Sequence, residues 1–504
     1  HLLEYDDVLN QQRTQIYSQR DRIFVKEDLS DDIAEMLEAE VRQRVEVGLA
    51  DEEGPWKLIA WLEQVQPPFM SDERLFPNFN LSLLMKELNQ SDDFRSSTLD
   101  LITHAIEAEN AHHLRSIENL IERTEDALEA QITSQEDRLD AYFSNLRDME
   151  DAERPRPQKI LEEISNLLGM QLRLSKEQLR VLGESPMELK EDIQDLIRVQ
   201  LTTASTSRVI STIQNRFSES LGEKFEGSNQ VEQADLILPA LQNALEHRLE
   251  RLVGNNGQIV HDIDNLMPPE LNDTTKSKLL LSLSRATRIV TNPKTRKQVK
   301  EPFNRFSYTF LAAQLLDEQN AEQLTKIVLL HLEEAEEALR YAWGEREYAR
   351  LSANAQRLAD FGLAAKMAFG EERLDEPATS LGESDREALV EAIGRYALNE
   401  VHRQLLLGAT TELWVDYLTR IEALRVSIGL EAYAQRDPLV QYKSKASEMF
   451  AQLVEDIRGL VISRVFAYQP RPVEITPVET ASGSTPATQT VQTESSKKKK
   501  RRRH

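Results

Sequence analysis

Apolar side chains recur every three or four residues along most of the chain, a spacing that predicts amphipathic helices. The most regular stretch covers Leu413–Ile428, and a second one begins at Leu439. Gly429 is expected to end the first helix, because glycine readily adopts the left-handed conformation common at helix C-termini. Asp437 can cap the next helix, and Pro438 fits its first turn. The sequence therefore predicts a helical hairpin with a short tip.

The first 50 residues carry a second helical pattern. Apolar positions keep helical spacing from Leu2 to Phe24, and the pattern resumes at Ile33 and continues to Val45. These residues are predicted to form one long amphipathic helix. A shorter apolar stretch lies within residues 51–80 and predicts a short helix.

The middle of the chain, residues 81–383, is also predicted to be helical. Leu99–Met149 alternates three- and four-residue spacing, a heptad-like coiled-coil seam that would make a helix roughly 75 Å long. Polar side chains such as His113 and Gln135 interrupt the seam, which favours packing against neighbouring helices over an isolated dimer. Residues 286–310 break the helical pattern, because β-branched and aromatic residues flank a basic turn. This stretch predicts a small β-hairpin.

Charge separates the end of the chain from the rest. The net charge is −25, yet one short segment is entirely cationic: Lys497, Lys498, Lys499, Lys500, Arg501, Arg502 and Arg503. Residues 469–504 have too few apolar side chains to fold and are predicted to be disordered. The cationic segment is expected to bind an anionic membrane surface, while ribosomal RNA and nonspecific binding stay open. The acidic body argues against specific nucleic-acid binding.

Motifs for catalysis and metal binding are absent from the sequence. No G-x-x-x-x-G-K-[ST] loop is present to hold phosphates, so no nucleotide site and no catalytic residue are predicted. No cysteine is available for a disulfide or a thiolate metal site. His112 and His113 are adjacent and point to different faces of a helix, so no metal site is predicted there. Enzymatic activity stays uncertain.

Both helical patterns share residue identities with one protein family. The hairpin resembles the two-helix finger of SecA, the ATPase motor of bacterial protein export, at these positions: Trp414, Leu418, Leu424, Arg425, Ile428, Leu430, Tyr433, Gln435, Asp437, Pro438, Tyr442 and Lys443. The stretch LLEYDDVLNQQRTQIYSQR is similar to the helical scaffold of SecA. The chain departs from the finger pattern at Tyr417, where the family has His, and at Ser427 and Gln441, where it has Gly and Glu.

This resemblance implies an all-α protein with five parts. In chain order they are the long scaffold helix, the start of the helical wing, a helical insertion in the wing, a return helix with the two-helix finger, and a disordered linker with a basic tail. Their expected ranges are 1–50, 51–80, 81–383, 384–468 and 469–504. We interpret the chain, which opens on His1, as the C-terminal portion of a longer protein whose motor domains it lacks.

The resemblance also implies roles for particular residues. Tyr433 at the fingertip would contact the translocating polypeptide. The polar side chains of the scaffold helix would contact the motor and substrate-clamp domains: Asp6, Asp7, Asn10, Arg13 and Arg20. The finger helices would carry Trp414, Leu424, Arg425, Asp437, Pro438 and Tyr442.

By the same resemblance, the whole protein would couple ATP hydrolysis to the passage of unfolded preproteins through the SecY channel. ATP and Mg would be bound by N-terminal domains. The other partners would be the SecY complex, the preprotein and the anionic inner face of the plasma membrane, where a cytoplasmic protein would bind peripherally. A homodimer stays open. The alternative is a stand-alone helical interaction protein with no motor.

Overall fold

The computed structural model describes residues 2–71, 73–90, 92–149, 155–221, 237–292, 294, 296–431, 438–470 and 478–479. Helices dominate these residues, which confirms the predicted all-α class. The predicted disorder of the C-terminal linker falls almost entirely outside the described residues.

The helices are α1 (Leu2–Val25), α2 (Ser30–Leu49), α3 (Trp56–Val65), α4 (Phe79–Leu88), α5 (Phe94–Arg147), α6 (Pro157–Leu168), α7 (Lys176–Glu184), α8 (Lys190–Leu221), α9 (Ile237–Val253), α10 (Gln258–Leu266), α11 (Asp273–Ser284), α12 (Thr309–Gln314), α13 (Ala321–Ser352), α14 (Leu363–Phe369), α15 (Glu383–Glu431) and α16 (Pro438–Val465). The strands are β1 (Phe69–Ser71), β2 (Arg74–Phe76), β3 (Arg285–Thr291), β4 (Gln298–Asn304) and β5 (Val478–Glu479).

The long helix predicted over residues 1–50 is interrupted, and the structure has α1 and α2 in its place. A side chain of α15 stabilises this interruption of the helix. Asn399 Oδ1 accepts a hydrogen bond from the Leu29 N–H at 2.9 Å, and Asn399 Nδ2 donates to the Glu27 carbonyl at 2.7 Å. Backbone groups that a continuous helix would pair internally therefore find a partner on α15.

Arg403, one turn further along α15, completes this contact. Its guanidinium donates to three backbone carbonyls at the end of α1, those of Ile23, Phe24 and Lys26. The last carbonyls of a helix have no partner within it, and here a charged donor satisfies them. Asn399 and Arg403 together explain why the chain leaves the helix at this point.

The two ends of the chain meet in one core. Buried apolar side chains of α1, α2, α3, α13, α15 and α16 form a single cluster that includes Ile16, Leu332, Tyr417 and Leu453. α13 packs in this core although it lies within residues 81–383, and the boundaries of the insertion stay a prediction.

α13 and α15 cross at close range where each has a glycine. A Cβ added to Gly344 would lie 2.2 Å from the Val390 carbonyl oxygen, and a Cβ added to Gly394 would lie 2.2 Å from the Arg340 carbonyl oxygen. Interiors of this density have no room for an added methyl group, so a larger residue would separate the helices. The crossing fixes the base of α15 in the core.

α15 is one continuous helix of 49 residues. It contains both the return helix and the first finger helix of the sequence interpretation, and it would be about 74 Å long if straight. It continues two residues past Gly429, because a single glycine weakens a helix by about 1 kcal/mol without ending it. The second finger helix, α16, begins at Pro438 as expected.

α5 is a single helix of 54 residues, about 81 Å long. Other helices of the same chain cover parts of its seam, where Ile102, Ile117 and Leu139 are fully buried in three successive clusters. Between Ile117 and Gln135 the seam is only partly buried. At the buried polar position Gln135, Nε2 donates to the Leu168 carbonyl at 3.3 Å, while Oε1 has no hydrogen-bond partner among the described residues.

A buried ion pair holds the base of α5. The Arg248 guanidinium lies 2.6 Å from Glu109 and also donates to Asn110 Oδ1 at 2.8 Å and to the Arg305 carbonyl at 2.7 Å. A buried charge of this kind is tolerated only when it is paired and hydrogen-bonded. The contact joins α5 and α9 to the end of β4.

The small β-hairpin predicted within residues 286–310 is confirmed. β3 and β4 pair in antiparallel fashion from Arg285 opposite Asn304 to Thr291 opposite Gln298. β5 adds to the other edge of β3, in parallel, through Val478 and Glu479.

We expect Asn399→Ala to loosen the break between α1 and α2. The variant leaves the buried Leu29 N–H and the Glu27 carbonyl without their partner, a loss of about 1–3 kcal/mol. Hydrogen exchange of the amides in residues 26–33 should become about tenfold faster or more. Gln404→Ala, at an exposed position of the same helix, is the control and should leave these rates unchanged. Equal exchange in Asn399→Ala and the parent protein would contradict this assignment.

Candidate functional site

The site that the fold assembles is the junction of α1 with the hairpin of α15 and α16. At its centre, Tyr417 Oη donates a hydrogen bond to Gln12 Oε1 at 2.7 Å, across 405 residues of sequence. Gln12 Nε2 in turn donates to the Ala446 carbonyl at 3.2 Å. One residue of each of the three helices therefore belongs to one buried network. Tyr417 is fully buried and Gln12 nearly so.

Aromatic rings surround this network. Trp414 stacks on Tyr417 at 5.3 Å between ring centroids, and Phe450 meets Tyr417 edge-on at 6.0 Å. Burial in this setting, with Tyr442 nearby, raises the pKa of Tyr417 to about 12, although the hydrogen bond with Gln12 acts in the opposite direction. The phenol is therefore neutral and able to donate at neutral pH.

The junction continues towards the tip. Tyr5 meets Tyr442 edge-on with ring centroids 4.6 Å apart, and Arg425 approaches Asp6 at 3.5 Å. The ion pair is exposed on both sides and contributes little, since exposed pairs typically stabilise by 1 kcal/mol or less. The ring contact, with Tyr442 buried, is the stronger of the two.

Two fixed points set the relation of α1 to α15. The first joins Gln12 to Tyr417, and the second joins Leu29 to Asn399. On one side the chain is helical from Gln12 to Val25 and leaves the helix before Leu29, and on the other the 18 residues from Asn399 to Tyr417 span about 27 Å of continuous helix. Because the later residue of α1's segment meets the earlier residue of α15, α1 runs antiparallel to α15, and two contacts this far apart oppose sliding of one helix along the other.

α2 adds a third attachment, to α16. Arg458 donates to Glu40 at 3.3 Å and to Gln43 Oε1 at 2.7 Å. Glu40 is buried and also pairs with Arg44 at 2.9 Å, so its charge is matched from two directions. The scaffold helices thus contact both helices of the hairpin.

The five polar residues predicted as interdomain contacts differ in position and exposure. Asp6 lies at the junction itself, beside Arg425. Asp7, Asn10 and Arg13 are exposed and point away from the junction core. Their contact with other domains stays a prediction.

Arg20 is the fifth residue predicted as an interdomain contact. Its side chain is half-buried, and its Nε is a buried donor with no hydrogen-bond partner among the described residues. Its contact with another domain also stays a prediction.

The predicted finger residues lie along the hairpin where they are described. Trp414 and Tyr442 are buried at the junction, and Leu424 is half-buried against the same core. Pro438 begins α16. Tyr433 and Asp437 lie outside the described residues, as do all seven cations of the tail.

Sequence reasoning missed the polar residues that hold the junction. Gln12 occupies the apolar face of α1, one turn before the buried Ile16, and a polar residue on such a face was the available signal. Tyr417 was predicted to lie on the apolar face of the helix over Leu413–Ile428 and was noted as a departure from the family pattern, but its hydrogen bond was not foreseen. Asn399 and Arg403 gave no signal, because their partners are backbone groups far away in sequence.

The fold and junction define a helical scaffold that carries a two-helix hairpin. A family model described as the SecA wing and scaffold domain matches residues 1–469. The chain belongs to this family. No solved structure matches it.

Individual relatives match shorter stretches. The protein translocase subunit SecA of Trichodesmium erythraeum is 38% identical over 96 residues, which is 19% of this chain and 10% of the relative. The SecA subunit of Trichormus variabilis is 32% identical over 128 residues, 25% of this chain and 13% of the relative. That of Synechocystis is 38% identical over 86 residues, 17% and 9% respectively. The matched stretches thus span about a tenth of these relatives. Among the described helices, none has the length and apolar character needed to cross a bilayer.

Tyr417→Phe should destabilise the junction. It leaves the buried Gln12 Oε1 without its donor, at an expected loss of about 1–2 kcal/mol in the free energy of unfolding. A double-mutant cycle with Gln12→Ala should show coupling of at least about 0.5 kcal/mol. Tyr396→Phe, at an exposed position of α15, is the matched control with no expected effect. Strictly additive losses would show that the two side chains do not interact.

The free energy of unfolding should also fall at high pH, because burial of Tyr417 favours its neutral phenol in the folded chain. The pKa of Tyr417 is about 12 in the folded chain against an ordinary value of 10.0, so the unfolded chain loses this proton first. The stabilisation is complete below pH 10 and is lost as pH rises towards 12. Urea unfolding across this range should give a shallower decline for Tyr417→Phe than for the parent protein. Parallel declines would contradict the assignment.

Proposed function

We propose that this chain is the output part of a SecA-type protein-export motor, in which movement of the scaffold is delivered to the finger. The observation that carries the proposal is the buried network of Gln12, Tyr417 and Ala446, which joins the scaffold helix to both finger helices. In the whole protein, ATP hydrolysis in other domains would drive passage of preproteins through the SecY channel. The relatives are named protein translocase subunit SecA, which supports this class of function.

The geometry suits transmission of a displacement. α15 runs without interruption from its close crossing with α13 to Glu431, so its two ends are parts of one stiff element. α1 is attached to it at two points, and dense packing at the junction resists relative sliding. A shift of α1 and α2 would therefore move the fingertip instead of being absorbed within the hairpin.

The exposed polar face of α1 supports transmission of movement from other domains through α1 to the finger. Asp7, Asn10 and Arg13 are directed away from the hairpin and are available to other domains. ATP and Mg would be held by those domains. The complete protein would work at the cytoplasmic face of the plasma membrane as a peripheral protein, with the SecY complex and an unfolded preprotein as partners.

The proposal predicts that residue 433 contacts the transported chain. A photoreactive phenylalanine analogue placed at Tyr433, in the complete translocase that carries this chain, should cross-link to a preprotein stalled in the SecY channel. The same analogue at Tyr396, an exposed tyrosine at the base of α15, is the matched control and should give no such product.

Absence of a cross-link at 433, or equal cross-linking at both positions, would contradict the proposal. The reading frame gives an independent check on the stand-alone alternative. A continuous frame upstream of the His1 codon with a Walker A motif supports the motor. A start codon immediately before it would support a helical interaction protein.

A further inference from the structure

The β3–β4 hairpin is a cationic surface on a strongly acidic protein. Within residues 285–304, six cationic side chains stand against the single carboxylate of Glu301: Arg285, Arg288, Lys294, Arg296, Lys297 and Lys300. The last four of these are exposed and lie at or next to the turn. The whole chain carries −25, so this concentration of positive charge is a local feature of the hairpin.

Three hydrogen bonds join the described residues of the turn. The Asn292 N–H donates to the Lys297 carbonyl at 2.9 Å, and the Arg296 N–H donates to the Asn292 carbonyl at 2.8 Å. Asn292 Oδ1 accepts a third bond, from the Lys294 N–H at 2.9 Å. Arg296 has a φ of 53°, in the left-handed region that few non-glycine residues adopt. These hydrogen bonds hold the backbone at Lys294, Arg296 and Lys297, three of the exposed cations.

Apolar side chains lie beside these charges. Ile289 is 62% exposed and lies directly opposite Lys300, so these two side chains share one face of the hairpin. Val299 is 48% exposed and lies opposite Val290, on the other face. The one aromatic residue of the hairpin, Phe303, lies near its base with the Arg288 guanidinium 5.8 Å from its ring centroid. Single-stranded RNA is commonly held by exposed aromatic platforms, which the turn lacks. Cations next to exposed aliphatic side chains fit the headgroup region of a bilayer.

The edge of the sheet gives no sign of strand addition. β4 is the edge strand, and it carries Pro302 and exposed charge, both of which disfavour pairing with another strand. The opposite neighbour is β5, which pairs with Ala286 and Thr287 at the base of the hairpin. The chain that leads to the cationic residues 497–503 thus leaves from the same small sheet.

From these observations we propose that the β3–β4 hairpin binds the surface of a bilayer containing anionic phospholipids. Lys294, Arg296, Lys297 and Lys300 contact the headgroups, and the aliphatic side chain of Ile289, on the same face as Lys300, enters the interface. The cationic tail provides a second, tethered contact with the same surface, so the two add by effective concentration. The proposal does not depend on the role of the finger.

Vesicle flotation of the full chain tests this surface. The parent protein should bind vesicles of phosphatidylcholine with about one third phosphatidylglycerol and should not bind phosphatidylcholine alone, with binding that weakens as salt rises. Changing Lys294, Arg296, Lys297 and Lys300 to Gln should weaken binding about tenfold or more. The matched control removes four exposed cations elsewhere, Arg156, Lys159, Arg173 and Lys176, and should bind like the parent. The comparison is repeated in chains that lack residues 497–503, where the hairpin acts alone.

A second variant separates a bilayer from a soluble polyanion. Ile289→Ser should weaken vesicle binding several-fold and leave heparin binding unchanged, because only the bilayer offers an apolar interior. Val299→Ser, on the opposite face of the hairpin, is the matched control and should bind vesicles like the parent. Unchanged vesicle binding of the four-Gln variant, with and without the tail, would overturn the proposal. So would hairpin-dependent binding of RNA with vesicle binding that does not involve the hairpin. Circular dichroism confirms that each variant remains folded.

Discussion

The hydrogen bond between Tyr417 and Gln12 is the interaction on which the arrangement of this protein depends most. It lies in a buried core, where an unpaired phenol or amide would be costly, so the two side chains must meet for the helices to pack. The bond between Gln12 and the Ala446 carbonyl extends the same requirement to α16. Apolar packing would allow several neighbouring registers between α1 and the hairpin, whereas this network allows one.

A single fixed point would still permit rotation. The contacts of Asn399 and Arg403 with the end of α1 supply the second point, and the attachment of Glu40 to Arg458 supplies a third on α16. Exposed ion pairs such as Asp6 with Arg425 contribute little to the relative orientation of these helices. The orientation of the hairpin is thus determined by a few buried polar groups, while the apolar core provides most of the stability.

Much of this could be predicted from the sequence, and the failures have a common cause. Periodicity is a local property, so it identified the helices, the hairpin of α15 and α16, and the exceptional strands β3 and β4. Residue identity in two stretches identified the family, which the match over residues 1–469 shows. The break near Leu29 was missed because its cause, Asn399, is 370 residues away. The position of α13 in the main core was missed for the same reason, since no local signal marks the close crossing at Gly344.

The central claim is that the scaffold helices and the finger hairpin form one rigid unit, and a distance measurement tests it most directly. The chain has no native cysteine, so spin labels can be attached at Gln15→Cys on α1 and Ser447→Cys on α16, both at exposed positions. A single narrow distribution of distances between the labels in the full chain is the predicted result. A broad or two-peaked distribution would show that the hairpin moves independently of the scaffold and would contradict the claim.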